Sequence, residues 1–496
     1  VNGQIKRVAA VAMALLVALI VATTYWQTWA RPALAERQDN EIQRVAQFEI
    51  RRGVILTPSR VVARNQPRVV KGKTYYFRRY PQGKLAAHVV GYSTAARSRT
   101  GLERSLNDYL TGSVRSLSSL VDQSLDKLGG KPIVGDSVRL TLDLNGQKAA
   151  FEALGDNCGA VVALDPRTGK LRVMASTPSY DPNQVENDFA KIESIRARCT
   201  PASPLLNRAT QGLYPPGSTF KVVTAAAALE SGVYEPTSTF DDPGYCTVYG
   251  RRVNNFDTSR PFGTVTLATA LQFSVNSVFC NIGLKLGARR ILKQAREFGF
   301  YDRPPLETPE SERRPSGLYR LEDRELRLYD PKRDTDVDAG RMAFGQERLL
   351  VTPLQMAMVA GTIGNAGILM RPYVVDRIVT PNGKTRSKTT PERVRRAISP
   401  VTARDVDEMM VRAVQAGTGT AAQISGLRIG GKTGTAETGV AGSNVTWFIA
   451  FAGREGERPE LAVAVVLEDQ SLTGGATAAP IARQVMQALL QSAPNP

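Results

Sequence analysis

Apolar positions along this chain fall into three patterns. Val8–Thr24 is continuously apolar up to its final threonines, with Lys6 and Arg7 before it and Tyr25, Trp26 and Trp29 after it. A helix of that length can span a bilayer, and aromatic residues suit the interface. Short β patterns follow at Val54-Ile55-Leu56, Thr74-Tyr75-Tyr76-Phe77 and Ser137–Leu142, with helical or mixed patterns at Ser105–Leu110 and Ser116–Leu128. Gly159–Leu164 and Leu171–Ser176 are strongly apolar strands joined by the turn Asp165-Pro166-Arg167-Thr168-Gly169. Leu427–Ala436, Val445–Ala452 and Leu461–Leu467 predict three more strands, and Ala479–Leu490 a closing amphipathic helix. Helical stretches, including 218–231 and 266–287, fall between the two groups of strands.

That order predicts an α+β fold: one antiparallel sheet covered by helices, with a helical subdomain inserted. A chain of 496 residues suggests two or three domains. The expected division is a tail over 1–7, a transmembrane anchor over 8–26, an extracytoplasmic region over 27–144 and a catalytic domain over 145–496.

Composition refines this picture. A 42% hydrophobic content is enough for packed cores. The net charge of +18 suggests an anionic neighbour. The basic residues are scattered, without zinc-finger spacing or an aromatic RNA-binding signature, so no nucleic acid is expected. Lipid headgroups, wall polymers or simply a solvated basic surface remain. Lys6 and Arg7 predict that the short N-terminus stays in the cytoplasm and the rest of the chain lies outside the membrane. A cleaved signal peptide is the alternative, but the long apolar run and the bulky residues after it favour an uncleaved anchor.

Four cysteines in an exported chain permit two disulfides, in any of three pairings. Cys246 with Cys280 and Cys158 with Cys199 is the expectation carried forward, against buried free thiols. No CxxC or His-rich spacing exists, so no zinc, other metal or cofactor is expected.

The candidate chemistry begins at Ser218-Thr219-Phe220-Lys221. Pro215-Pro216-Gly217 cannot be helix interior, so a helix is expected to begin here. Positions i and i+3 share a helix face, which puts the Lys221 amine beside the Ser218 hydroxyl. The positive end of the helix dipole favours an alkoxide. Activation without histidine matters because the chain has only one, His88. A lone SxxK also describes a helix cap followed by a solvated lysine. Two further stretches change the reading. Ser274-Val275-Asn276 follows the helical run Thr266–Leu271, and Lys432-Thr433-Gly434-Thr435 lies far downstream. SxxK, SxN and KTG in this order form the signature set of the penicillin-interacting serine enzymes.

On these motifs the chain resembles the penicillin-binding proteins, specifically the class B D,D-transpeptidases and, among them, the actinobacterial penicillin-binding protein A branch. The resemblance also takes in Arg52-Gly53-Val54-Ile55, Ala87-His88-Val89-Val90-Gly91-Tyr92, Gly101-Leu102-Glu103, Gly159–Asp165, Gly345-Gln346 and Trp447-Phe448. It implies an elongated, dimerisation-like pedestal before the catalytic domain, and an active site between sheet and helical subdomain. The acidic, histidine-containing motif of a fused glycosyltransferase is missing, which separates it from class A.

The resemblance implies roles as well. Ser218 would attack the carbonyl between the two terminal D-alanines of a peptidoglycan stem peptide. Lys221, if neutral, would take its proton. An unperturbed lysine is mostly protonated, so burial or a like charge from Lys432 has to shift it. Ser274 would relay the proton to the leaving amine, and Asn276 would hold Lys221 and the substrate amide. The backbone N–H groups of Ser218 and Thr435 would form the oxyanion hole. Lys432, Thr433 and Thr435 would bind the terminal carboxylate, while Gly434 would let substrate lie against the strand. β-Lactams would acylate the same serine. The family often works beside a membrane glycosyltransferase of the SEDS type (RodA and FtsW family).

Other readings compete. Gly426–Thr433 matches GxxxxGK[ST], and Ala464–Asp469 resembles an acidic strand end, so a P-loop NTPase is a rival. A P-loop must open a helix, whereas Thr433 leads into Gly434-Thr435-Ala436-Glu437-Thr438-Gly439, a poor helix start. A non-catalytic β-lactam sensor or scaffold of the same fold is a second rival. A β-lactamase is a third, but it needs a water-activating base that the sequence does not identify.

Overall fold

The computed structural model describes residues 2–25, 47–113, 133–258, 261–440 and 442–491. Helix α1 (Asn2–Tyr25) carries the apolar N-terminal run, and its side chains from Gly3 onward are exposed. Gly3–Tyr25 is long and apolar enough to cross a membrane. The expected helix over Ser116–Leu128, like Trp26 and Trp29, lies outside the described residues.

The region after α1 is built on short strands: β1 (Ile55–Leu56), β2 (Val61–Val70), β3 (Lys73–Arg79) and β4 (Ser137–Leu140). The helical reading of 105–110 resolves into two short helices, Gly101–Ser105 and Asn107–Thr111. Glu103 is fully buried here and receives Arg52 Nη2 at 2.8 Å and Arg78 Nε at 2.6 Å. Burial pushes its pKa up, but the two guanidiniums prevail and hold it below the usual carboxylate value. The tight chain path also needs Gly53, where a Cβ would lie 1.7 Å from the Asp136 carbonyl oxygen. The single histidine is structural too. His88 is buried, its Nε2 lies 2.9 Å from the Pro204 carbonyl oxygen, and burial lowers its pKa to about 4.

The catalytic region follows with α2 (Leu144–Leu154), β5 (Gly159–Leu164), β6 (Leu171–Thr177) and α3 (Lys221–Glu230). A helical part then carries small strands β7 (Thr239–Asp242), β8 (Tyr245–Val248), β9 (Arg251–Asn254) and β10 (Gly263–Thr266), and helices α4 (Leu267–Gln272), α5 (Asn276–Leu286) and α6 (Pro353–Gly364). The chain ends through β11 (Val375–Val379), β12 (Thr385–Lys388), α7 (Pro400–Ala416), β13 (Leu427–Glu437), β14 (Asn444–Arg454), β15 (Leu461–Gln470) and α8 (Ala478–Leu490).

Five strands form the central sheet in the order β13-β14-β15-β5-β6, each neighbour antiparallel. Both faces are covered. Val161, Ala163, Phe448, Ala450, Val463 and Val465 pack with residues of α2 and α8. Ala160, Val162, Trp447, Ile449, Ala462 and Ala464 join the core that contains α6. Burial on both faces explains why these strands read as unbroken apolar runs rather than alternating ones. Each large side chain so buried contributes about 1.5–3 kcal/mol.

A second sheet, in the order β12-β11-β4-β1-β2-β3, ties the two regions together. Residues 375–388 supply two of its strands, and the boundary expected at 144/145 falls within α2. Strand β4 finds its partner β11 more than two hundred residues downstream.

Candidate active site

The nucleophile candidate sits on a turn held from three sides. Trp447 Nε1 donates to the Pro215 carbonyl at 2.9 Å. The Gly217 N–H donates to the Gly345 carbonyl at 3.0 Å. Tyr214 and Val351 exchange backbone hydrogen bonds at 3.0 and 2.8 Å. Gly217 has φ +52°, a conformation that suits glycine. The expected α-helix does not begin at Ser218. Gly217–Phe220 is a 3₁₀ turn, and α3 starts at Lys221. The consequence for the pair is small, because i and i+3 eclipse one another in a 3₁₀ turn.

Helix α3 buries Lys221 completely. Its Nζ donates to the Ser274 carbonyl at 2.7 Å and to Asn276 Oδ1 at 2.7 Å, and lies 3.2 Å from Ser274 Oγ. Burial, then the charge of Lys432, push the Lys221 pKa well below its usual value. The Ser218 hydroxyl is half-buried and makes no hydrogen bond among the described residues. Catalytic hydrogen bonds often tighten only when substrate is present.

The sequence pattern joined 266–287 into one helical stretch. The structure breaks it into α4 and α5 at Phe273-Ser274-Val275. Ser274 takes φ +62°, which is costly for serine and turns its carbonyl onto Lys221. Asn276 is the first residue of α5, so the break brings both polar groups of SxN to one amine. A continuous helix could not do so.

Strand β13 forms the opposite wall and is the edge of the central sheet. Lys432 is fully buried, and its Nζ donates to Ser274 Oγ at 2.9 Å and to the Thr433 carbonyl at 3.0 Å. Burial lowers its pKa to about 7. Thr433 and Thr435 line the cleft. Gly434 alternates away from them. A Cβ there would lie 2.8 Å from the Pro216 carbonyl oxygen and 3.0 Å from Thr219 Cγ2. The side of Gly434 on which a Cβ would stand therefore faces the turn that carries Ser218. Strand β13 also runs unbroken through Gly430–Thr435, so the GxxxxGK[ST] match is strand and opens no helix.

The cleft between these walls has a volume of about 990 Å³ and includes Ser218, Ser274, Asn276, Thr433 and Thr435. Its far rim is fastened through Asp242. This buried carboxylate accepts from Ser277 Oγ at 2.5 Å, Asn255 Nδ2 at 2.9 Å, Gly244 N at 2.9 Å and Phe262 N at 3.0 Å. Burial pushes its pKa up, and these donors bring it below the usual value. A disulfide joins Cys246 on β8 to Cys280 on α5, with Cα atoms 6.3 Å apart. Cys158 and Cys199 form the other disulfide, with Cα atoms 5.9 Å apart.

Several residues in and around the site escaped sequence reasoning. Thr418 Oγ1 lies 2.7 Å from Thr433 Oγ1, and nothing local in the sequence marks it. Glu468 accepts from Tyr214 at 2.6 Å and from Arg208 Nε at 2.8 Å. Tyr214 stacks edge-on against Trp447, with ring centroids 6.1 Å apart. Trp447-Phe448 stood out as a motif, but the grip of its indole on Pro215 depends on the register Gly434↔Trp447.

The arrangement is a buried two-lysine site with one serine hydroxyl between the amines and a second serine facing an open cleft. Comparison with known proteins finds similarity along nearly the whole chain. Residues 159–487 match the penicillin binding protein transpeptidase domain, and residues 52–138 match the penicillin binding protein A dimerisation domain. The peptidoglycan D,D-transpeptidase PbpA of Mycolicibacterium smegmatis is 37% identical, covering 99% of this chain and 99% of its own. Its namesake from Mycobacterium tuberculosis is 35% identical over 99% of this chain and 100% of its own. The imipenem acyl-enzyme complex of penicillin-binding protein A from M. tuberculosis superposes with a TM-score of 0.77 and 33% identity, over 89% of this chain and 99% of that one. A matched transpeptidase domain, a shared fold and similarity along nearly the full length lead to one conclusion: the chain belongs to the class B penicillin-binding protein transpeptidases.

Proposed function

We infer that Ser218 is the nucleophile of a peptidoglycan D,D-transpeptidase and the residue that β-lactams acylate. The observation that carries the assignment is the buried Lys221 amine, three residues from Ser218 and held by Ser274 and Asn276. A neutral amine has two N–H bonds and one lone pair. The Ser274 carbonyl and Asn276 Oδ1 occupy the two donors, leaving the lone pair for a hydroxyl proton.

The reaction then runs in two halves. Lys221 takes the Ser218 proton as Oγ attacks the carbonyl carbon of the penultimate D-alanine. The oxyanion forms between the N–H groups of Ser218 and Thr435. The position a Gly217 Cβ would take is 2.9 Å from the Thr435 carbonyl oxygen, so turn and strand are adjacent there. Ser274 passes the proton to the departing D-alanine nitrogen as the C–N bond breaks. The acyl ester is then attacked by the amine of a second stem peptide. A new C–N bond forms, the C–O bond breaks, and Ser218 regains its proton. Lys432, Thr433 and Thr435 hold the terminal carboxylate.

The domain reading follows from the same assignment. Residues 8–26 anchor the chain in the membrane, with 1–7 in the cytoplasm. Residues 27–144 form the body of a pedestal, and 145–496 the transpeptidase region outside the membrane. Exposure of every described side chain of α1 after Gly3 supports the anchor. The pedestal and anchor would meet a membrane glycosyltransferase of the SEDS type.

The test is mass spectrometry of the intact protein after benzylpenicillin, with the modified residue mapped. A stable adduct on Ser218, absent from a folded Ser218→Ala variant, is expected. An adduct elsewhere overturns the assignment.

A further inference from the structure

The β2–β3 hairpin carries more exposed apolar surface than its fold requires. Its base is packed, with Val62 and Ala63 buried on β2 and Arg78 on β3. Beyond Asn65 the inside–outside alternation stops. Residues 66–74 are exposed on both faces of the ribbon, with Val69 71% and Val70 49% exposed. Lys71 and Gly72 form a tight turn with φ of 49° and 76°.

Cross-strand register sorts the tip into two faces. Pro67 opposes Tyr76 and Val69 opposes Thr74, so one face is uncharged. Arg64 opposes Arg79, Arg68 opposes Tyr75 and Val70 opposes Lys73, so the other face is basic. Arg68 lies over the Phe77 ring at 5.2 Å, and Lys73 pairs with Glu49 at 2.6 Å. Residues 50–102 contain no Asp or Glu at all. Among the described residues Val69 and Val70 stay exposed, and every charge on the two strands themselves is basic, with Glu49 neutralising Lys73 alone.

We infer that this hairpin tip docks on the anionic bilayer surface that α1 enters, with Val69 and Tyr76 at the headgroup–acyl boundary and Arg68 and Lys71 on lipid phosphates. The inference rests on the reading of α1 as a membrane anchor. A ribbon with an uncharged face bearing Val69 and Tyr76 and a basic face bearing Arg68 and Tyr75 has the chemistry of an interfacial segment. Residues 26–46 can extend to at most roughly 70 Å, so the surface is within the tether's reach. Docking would give the pedestal a second contact with the membrane and restrict how the cleft faces the wall.

The test uses the full chain carrying Val69→Cys. Every native cysteine is in a disulfide, so an NBD label goes to one site. The labelled protein is reconstituted in nanodiscs of phosphatidylcholine with or without phosphatidylglycerol, and nitroxide lipids serve as quenchers. The expected result is a blue-shifted, quenched probe in the anionic discs. Adding Arg68→Glu and Lys71→Glu should shift the quenched-to-unquenched ratio by on the order of tenfold or more. Water-like, unquenched emission in anionic discs overturns docking. Quenching that ignores both lipid charge and the reversal overturns the phosphate contact. A blue shift that rises with protein concentration and ignores nitroxide assigns the face to a second copy, and also overturns it. Failure of the chain to co-elute with discs of either composition rejects the anchor itself, which is a separate and recognisable outcome.

Discussion

The Ser274 hydroxyl accepts a hydrogen bond from Lys432 Nζ at 2.9 Å, and Lys221 Nζ lies on its other side at 3.2 Å. Two buried lysines thus share one hydroxyl, with no carboxylate in the hydrogen bonds of either amine among the described residues. Two ammonium ions at that spacing, out of water, would repel strongly. One amine is driven neutral, and the like charge of Lys432 adds to burial in selecting Lys221.

The two lysines should respond differently to arginine, which keeps its charge but cannot act as a base. Lys221→Arg is expected to lose nearly all acylation by benzylpenicillin, a fall of about 10²–10⁴. Lys432→Arg should acylate more slowly than wild type but remain measurable. Stopped-flow acylation rates compare them. Equal rates, or a faster Lys221→Arg, would show the roles to be misassigned.

Lys432 should also cost stability. Its folded pKa of about 7 lies below its ordinary value of 10.5, so the unfolded chain binds more protons between these values. Wild-type stability therefore rises with pH across that window, and the cost is largest below pH 7. Lys432→Met should raise Tm near pH 6, by progressively less as pH approaches 10, while impairing acylation. Calorimetry against pH checks this, and a gain that grows with pH would contradict it.

Tyr214 should act as a positioning residue through the turn it precedes. Burial, with Glu468 beside it, raises its phenol pKa well above 10, so it remains a donor to Glu468. Tyr214→Phe keeps the ring on Trp447 but loses that hydrogen bond. The acylation rate constant should fall roughly threefold to thirtyfold, with little change in noncovalent affinity or Tm. A matching fall in Tm would instead indicate a purely structural role.

The Cys246–Cys280 disulfide fastens the cleft rim to the helix that begins with Asn276. Replacing both cysteines with alanine should destabilise the protein by about 2–4 kcal/mol. Acylation should slow as well, because Asn276 Nδ2 donates to the Asn254 carbonyl of the same hairpin at 3.1 Å. Denaturant titration and acylation kinetics report the two effects separately. Unchanged acylation would separate the rim from the Asn276 grip on Lys221.

Much of this protein is written locally. The apolar runs at 159–164, 445–452 and 461–467 are legible because both faces of those strands are buried, which leaves few polar positions. Ser218, Ser274, Asn276 and Lys432 are legible because three motifs occur together in order. Tertiary structure alone decided what surrounds them. The left-handed turn at Ser274, the contact of Gly434 with Pro216 and the hold of Trp447 on Pro215 join segments dozens to hundreds of residues apart. The depressed lysine pKa values belong to the same class. A sequence shows that a lysine is present, but its charge depends on how much water and which neighbours the fold leaves around it.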